Sequence, residues 1–142
     1  MLCLILRKLF KSGDKTKGEY NRDERVRLSR KYGALCKSLS SQGFIVIIAT
    51  ISMYSEIYSW NRKNLPNYFE VYLNVPIDEL QRRDPKKIYR NFSSGNLINV
   101  AGLDLEVDLP TEAHLIIDYK SGQTTDIVVD VIVKSLKMEK LI

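Results

Sequence analysis

The chain reads as one α/β domain whose strands alternate with helices and therefore pair in parallel through right-handed crossovers. Three observations point there. Residues 44–50 (Phe-Ile-Val-Ile-Ile-Ala-Thr) are apolar on both alternating faces, as a strand buried between two helical layers requires. Residues 68–75 and 114–118 give two more strand runs, and apolar residues at helical spacing separate the three. The 142 residues suit a single core, and 44% hydrophobic with 27% charged residues is the balance of a folded chain.

Residues 1–19 read as an irregular N-terminal segment ending in a solvated loop over 11–18, and residues 20–142 as the folded domain. A helix is expected over 23–41, with Val26, Leu28, Tyr32, Leu35, Cys36 and Leu39 near helical spacing. Asn21 or Asp23 is its candidate cap, and Gly43 closes it. Helix patterns follow over 53–64, ending before Leu65-Pro66, and over 76–83. The closing helix is expected over 124–137, with Ile127, Val128, Val131, Ile132 and Leu136 on one face. Trp60 and the tyrosines between 54 and 58 are expected to cover the sheet. The irregular segment 82–110 is too long for a plain connection, and in open parallel sheets ligands bind beyond the carboxyl ends of the strands.

Composition excludes several classes of function. The apolar runs 1–6 and 44–49 fall far short of the roughly 20 residues that cross a bilayer. The opening run carries its charge after the apolar residues and has no small-residue cleavage site, so it is not read as a signal peptide. Two cysteines, Cys3 and Cys36, make no disulfide framework, which points to a reducing, cytoplasmic compartment. A lone histidine, His114, does not make a zinc site and is expected to be structural. No metal site is assigned, and the net charge of +5 permits nucleic-acid partners without requiring them.

The densest chemistry lies in 82–90, where Arg82, Arg83, Lys86, Lys87 and Arg90 stand beside Tyr89 and Phe92. Such a set could clamp phosphates and stack on a base, or simply form a solvated basic face; both readings stay open. Pro85 predicts a helix starting just after Asp84, which puts Lys86 and Lys87 in a first turn where cations are disfavoured. A second basic group is Arg22, Arg25, Arg27, Arg30 and Lys31. Its stripe stops at Ser29, and most of its charges are expected in solvent. Ser52 follows the apolar strand, where a hydroxyl could reach a substrate or satisfy local backbone; no His–Asp pair accompanies it, so triad chemistry is unsupported. Asp84, Asp104, Glu106 and Asp108 could bind Mg²⁺ or act as bases, but loop carboxylates are nonspecific.

Taken together, several segments resemble the adenylylsulfate kinase family. Arg83-Asp84-Pro85-Lys86-Lys87-Ile88-Tyr89 looks like that family's R-D-P-K-G-L-Y lid, and residues 95–104 look like its G-E-x-x-N-F-T-G-I-D. Gln42-Gly43-Phe44-Ile45-Val46 and Ala49-Thr50-Ile51-Ser52 resemble A-G-L-x-V and A-F-I-S-P, and Glu24-Arg25-Val26 with Arg30 and Gly33 is similar to D-R-x-E-N-I-R-R-x-G. The resemblance implies a three-layer P-loop NTPase-like fold with a lid over about 83–110. It also implies ATP with Mg²⁺ as co-substrate and phosphorylation of the ribose 3′-hydroxyl of adenylyl sulfate. On it, Ser52 and Lys86 would be catalytic, with Lys86 above the transferring phosphate. Arg7, Arg25, Ile51, Ser52 and Val100 would bind substrate, with Arg25 at its phosphate or sulfate end. Arg83, Asp84, Lys86 and Tyr89 would hold the nucleotide or the lid.

The sequence departs from that pattern. It contains no G-x-x-x-x-G-K-[ST], and Leu-Cys-Leu-Ile-Leu precedes Arg7 where the family has D-G-D. Leu28, Met53 and Val100 replace the helix asparagine, the proline after Ile-Ser and the stacking phenylalanine. The chain therefore reads as a shortened member lacking the first strand and phosphate loop, weak or inactive alone. The alternatives are a kinase for another nucleotide conjugate, such as a cytidine diphosphate derivative of surface-polysaccharide synthesis, and a non-catalytic module completed by a P-loop-bearing partner or a second copy.

Overall fold

A computed structural model describes residues 21–142. Seven elements follow in order: α1 (Arg22–Ser40), α2 (Ser55–Asn64), β1 (Val71–Asn74), α3 (Ile77–Arg83), α4 (Ile88–Ser93), β2 (Leu115–Asp118) and α5 (Thr125–Met138). The strands β1 and β2 pair in parallel, Val71 opposite Leu115 through Asn74 opposite Asp118, so residues 75–114 form the crossover. At the carboxyl end the Asn74 amide donates to the Asp118 carboxylate over 2.8 Å. Arg7 and the irregular segment 1–19 lie outside the described residues.

The helices α1, α2 and α5 start where a side-chain oxygen accepts from an unpaired first-turn N–H group. Asn21 Oδ1 accepts from the Glu24 N–H, and Thr124 Oγ1 accepts from the Ile127 N–H. For α2 the acceptor comes from far along the chain, because the Asp108 carboxylate takes the Ser55 N–H at 2.8 Å. That bond and the 2.9 Å bond from the Asp108 N–H to the Met53 carbonyl fasten the end of the 83–110 segment to the start of α2.

The buried face of α1 is not the large-residue stripe that the spacing suggested. It is Ser29, Gly33 and Cys36, three small residues on successive turns. Trp60 lies against Gly33: a Cβ at Gly33 would stand 2.6 Å from Trp60 Cζ3. The rigid indole cannot move aside cheaply, so Gly33→Ala should cost about 1–3 kcal/mol in overpacking, against roughly 0.5–1 kcal/mol of helix propensity gained. A melting temperature a few degrees lower is expected, and an unchanged or higher one contradicts this packing. Tyr54 is 1% exposed beneath the Arg22 guanidinium, 4.6 Å from its ring centroid. His114 is structural as expected, its Nδ1 accepting the Glu70 N–H at 3.0 Å and its ring stacked on Phe69.

Two further expectations are corrected. Residues 44–50 are extended but pair with no strand among the described residues, and Phe44, Ile45 and Ile47 are 61–66% exposed. Apolar alternation shows that both faces suit a core, but a ladder also needs a neighbour's backbone groups. Second, Lys86 and Lys87 do not begin a helix. Pro85 sits inside a turn closed by the Lys87 N–H on the Asp84 carbonyl, Lys87 takes φ 56°, and α4 starts at Ile88. The Asp84 carboxylate accepts from the N–H groups of Tyr89 and Arg90, so an anion and not a cation faces that helix start.

Candidate functional site

Three separate stretches of chain meet beside the N-terminal half of α1. From α1 come Arg25 and Ser29, one turn apart. From the end of the extended segment come Thr50, Ile51 and Ser52. From the crossover comes the tight loop 99–105.

The loop is shaped by its own carboxylate. Asp104 accepts from the N–H groups of Asn99 (2.8 Å) and Val100 (2.6 Å). Asn99 adopts φ 60°, a region that asparagine tolerates better than most residues, and Gly102 adopts φ 81°. Arg25 then grips the loop from outside, its Nη2 donating to the Asn99 carbonyl over 2.7 Å. Val100 is 6% exposed behind that contact.

A line of hydroxyls ties α1 to the strand end. Buried Ser29 Oγ lies 2.7 Å from the Arg25 carbonyl oxygen and 2.7 Å from Ser52 Oγ. Thr50 Oγ1 lies 2.8 Å from Ser52 Oγ. Arg25, Ser52 and Val100 are thus brought together through Ser29 and Asn99, while Ile51 beside them is exposed. Sequence reasoning passed over Ser29 as the place where the basic stripe ends. The signal was there: a hydroxyl one turn from Arg25, on the face that packs inward.

Three of the six α1 cations are answered by carboxylates. Arg22 approaches Asp108 at 3.3 Å and Glu56 at 3.7 Å, Arg30 reaches Glu56 at 3.4 Å, and Arg27 reaches Glu24 at 2.8 Å. Hydrogen bonds from the Ser55 backbone and from Arg22 hold the Asp108 carboxyl below the usual range. Burial and nearby carboxylates push the Tyr58 phenol up, and its hydroxyl donates to the Asp108 carbonyl at 2.8 Å.

The residues expected in the lid form a second set, at the end of α3 and the start of α4. Arg82 and Arg83 both donate to Glu79 at 2.6 Å, and Arg83 also lies over the Tyr119 ring, 5.1 Å from its centroid. Arg83 therefore pins the end of α3 to the residue after β2. Asp84 caps α4, while Lys86 is exposed. The two guanidiniums hold the Glu79 carboxyl down to about 2.

Glu79 and Asp108 fix the sign of an acid response. Both carboxyls sit below their unfolded values, so their support is complete above those values and fades as pH falls. For Glu79 the window runs from 4.5 down to about 2. Melting temperature should drop across that window, and the drop should be shallower in Glu79→Gln. An identical profile in the variant contradicts the assignment.

The described residues do not fit MgATP by themselves. They contain no G-x-x-x-x-G-K-[ST] loop to wrap the phosphates, and no cluster of three His, Cys, Asp or Glu is placed to hold a metal among them.

Comparison with known proteins agrees with the residue pattern. The profile of the adenylylsulphate kinase family matches residues 11–118. A cytidine diphosphoramidate kinase of Campylobacter jejuni is 39% identical over 119 residues, covering 84% of this chain and 69% of that protein. An adenylyl-sulfate kinase of Pseudomonas aeruginosa is 34% identical over 101 residues, covering 70% of this chain and 52% of the relative. Among solved structures, the APS kinase CysC of Mycobacterium tuberculosis, in complex with AMPPNP and APS, superposes with a TM-score of 0.76 at 22% identity. That superposition covers 83% of this chain and 69% of the other, and it shows the P-loop NTPase-like α/β fold. No described helix is long and apolar enough to cross a membrane. With the family profile matched over most of its length, this chain belongs to the adenylylsulphate kinase family.

Proposed function

We propose that this chain carries the substrate-binding and lid parts of a nucleotide-conjugate kinase, whose reaction is ATP-dependent phosphorylation of a ribose 3′-hydroxyl. The observation that carries the reading is the meeting of Arg25, Ser52 and the 99–105 loop, three stretches far apart in sequence that all bear family motifs. Arg25 would meet the phosphate end of the conjugate, Ile51 and Ser52 would line its pocket, and Lys86 would neutralise charge on the transferring group. Mg²⁺ would accompany ATP, and the phosphate loop for both would come from residues other than 21–142. These 142 residues alone are expected to transfer little or no phosphate; robust turnover by them would contradict that.

The substrate we favour is a cytidine diphosphate derivative. Val100 stands where adenylylsulfate kinases carry a stacking phenylalanine, and at 6% exposure it offers a base neither a π face nor much area. The 39% identity with the Campylobacter enzyme supports the same choice. Adenylyl sulfate, giving 3′-phosphoadenylyl sulfate, is the second reading, supported by relatives such as the Pseudomonas enzyme. Calorimetric titration with cytidine diphosphoramidate and with adenylyl sulfate tests the choice. Tighter binding of the cytidine conjugate is expected, and tighter binding of adenylyl sulfate reverses it.

A completing polypeptide is supported by one further observation. Phe44, Ile45, Ile47 and Ile48 are exposed along a segment with no strand partner among the described residues. A P-loop-bearing strand would cover them. In that case Ile45→Lys should lower self-association in sedimentation, and a monodisperse monomer in both forms counts against it.

A further inference from the structure

The three stretches that form the candidate site meet a second time, at Asp108, just past the 99–105 loop. Asp108 Oδ2 accepts from the Ser55 N–H at 2.8 Å and from Arg22 Nη2 at 3.3 Å. The Asp108 N–H donates to the Met53 carbonyl at 2.9 Å, and its carbonyl accepts from the Tyr58 hydroxyl at 2.8 Å. Arg22 belongs to α1, one turn before Arg25, while Met53 and Ser55 closely follow Ser52. One residue of the crossover thus holds α1, the serine stretch and α2, with its side chain and its backbone together.

The sequence around α2 does not supply these bonds. Tyr54 stands at the capping position, and its side chain does not cap. The first-turn N–H of Ser55 has no acceptor within its own helix, and it finds one 53 residues along the chain. The start of α2 therefore takes this shape only while the end of the crossover is docked on it. Short backbone bonds carry the restraint in both directions. The Tyr54 N–H on the Ser52 carbonyl (3.0 Å) takes it back to Ser52, and the Leu105 N–H on the Val100 carbonyl (3.2 Å) takes it into the loop. The ion pair with Arg22 adds little to this, since its side chains are 41% and 36% exposed. The directional bonds to backbone do the holding.

We propose that Asp108 is a positioning residue of the substrate site, setting the separation between the Ser52 stretch and the 99–105 loop. The inference rests on the reading of those stretches as one nucleotide-conjugate site. Arg25 ties the loop to α1 at its Asn99 end, and Asp108 ties it to the serine stretch beyond its Leu105 end. The site is held from both sides, and Asp108 acts on a ligand through the backbone of its neighbours.

The test combines amide hydrogen exchange without ligand and calorimetric titration with cytidine diphosphoramidate and with adenylyl sulfate. The proteins are the wild-type chain, Asp108→Ala, Asp108→Asn, Tyr58→Phe and Glu70→Gln. Asp108→Ala should speed exchange at Tyr54, Asn99 and Val100 together, by about three- to thirtyfold. It should weaken whichever conjugate the wild type binds by a similar factor, the scale of one or two hydrogen bonds. Asp108→Asn keeps an acceptor for the Ser55 N–H and should restore most of both. Tyr58→Phe removes only the partner of the Asp108 carbonyl, so it should move the same amides by a smaller factor, and it decides the matter should Asp108→Ala not fold. Glu70→Gln weakens the 2.8 Å pair with Arg62 just before β1. It should lower the melting temperature and leave those three amides and the affinity unchanged, which separates positioning from general stability. Faster exchange at Ser55 alone, or full affinity in Asp108→Ala, overturns the proposal. Binding of neither conjugate by the wild type removes the nucleotide reading, and the exchange pattern then decides by itself whether Asp108 holds the two stretches together.

Discussion

Arg25→Ala is expected to weaken nucleotide-conjugate binding by about 10- to 100-fold, the scale of a charge-assisted hydrogen bond and its electrostatic reach. Two losses combine. The guanidinium fork no longer grips the Asn99 carbonyl, so the 99–105 loop loses its tie to α1. The positive charge beside the Ser29–Ser52 pair is also gone. Arg25→Lys separates these effects. It restores the charge but not the planar fork, so binding should recover only in part. Calorimetry on the three proteins reads the series directly. Full affinity in Arg25→Ala would mean that the clamp is not part of the site.

The second large effect is expected at Asp104. Its carboxylate takes two backbone N–H groups, and those two bonds hold Asn99 and Val100 in the shape that Arg25 recognises. Asp104→Ala leaves both donors to water and releases the left-handed Asn99 from its restraint. A cost of about 1–3 kcal/mol in loop stability is expected, lower than for a fully buried pair because the carboxylate is exposed. Substrate affinity should fall with it, since the Asn99 carbonyl is no longer presented to Arg25. Asp104→Asn keeps one acceptor and should fall between. Amide hydrogen exchange at Asn99 and Val100 is the direct readout: faster exchange is expected in Asp104→Ala, and unchanged protection contradicts the role. Glu106, two residues on and also acidic, makes no such pair of bonds among the described residues, so Glu106→Ala is the natural control.

Helices were the most legible part of the sequence. Asn21, one of two candidates, caps α1, the closing helix starts beside Thr124 as expected, and Leu65-Pro66 marked the end of α2, because these signals act within one turn of the chain. The pairing strands were legible too, although β1 came out shorter than its apolar run. What could not be read depended on distant partners. Residues 44–50 have the composition of a buried strand, and only a neighbour could make them one. Pro85 suits either the first position of a helix or the second position of a turn, and the Asp84 carboxylate, reaching forward to Tyr89 and Arg90, settled it as a turn.

The candidate site was legible in outline through motif resemblance, which placed Arg25, Ser52 and Val100 in one group. The resemblance did not give the contacts that join them. Ser29 drew notice only as a gap in a row of cations, since its bond to Ser52 spans 23 residues of sequence. Nor could composition show that Arg82 and Arg83 are both paired with Glu79. Charge counts along a segment overstate what is available, because each short ion pair removes a donor from the tally.

The central claim is that α1, the end of the extended segment and the 99–105 loop make one nucleotide-conjugate site. A two-dimensional NMR titration of the chain with cytidine diphosphoramidate tests it most directly. Saturable shifts concentrated at the amides of Ser29, Ser52, Asn99 and Val100 are predicted. Saturable shifts confined to the far end of α5, with those four amides still, would contradict it.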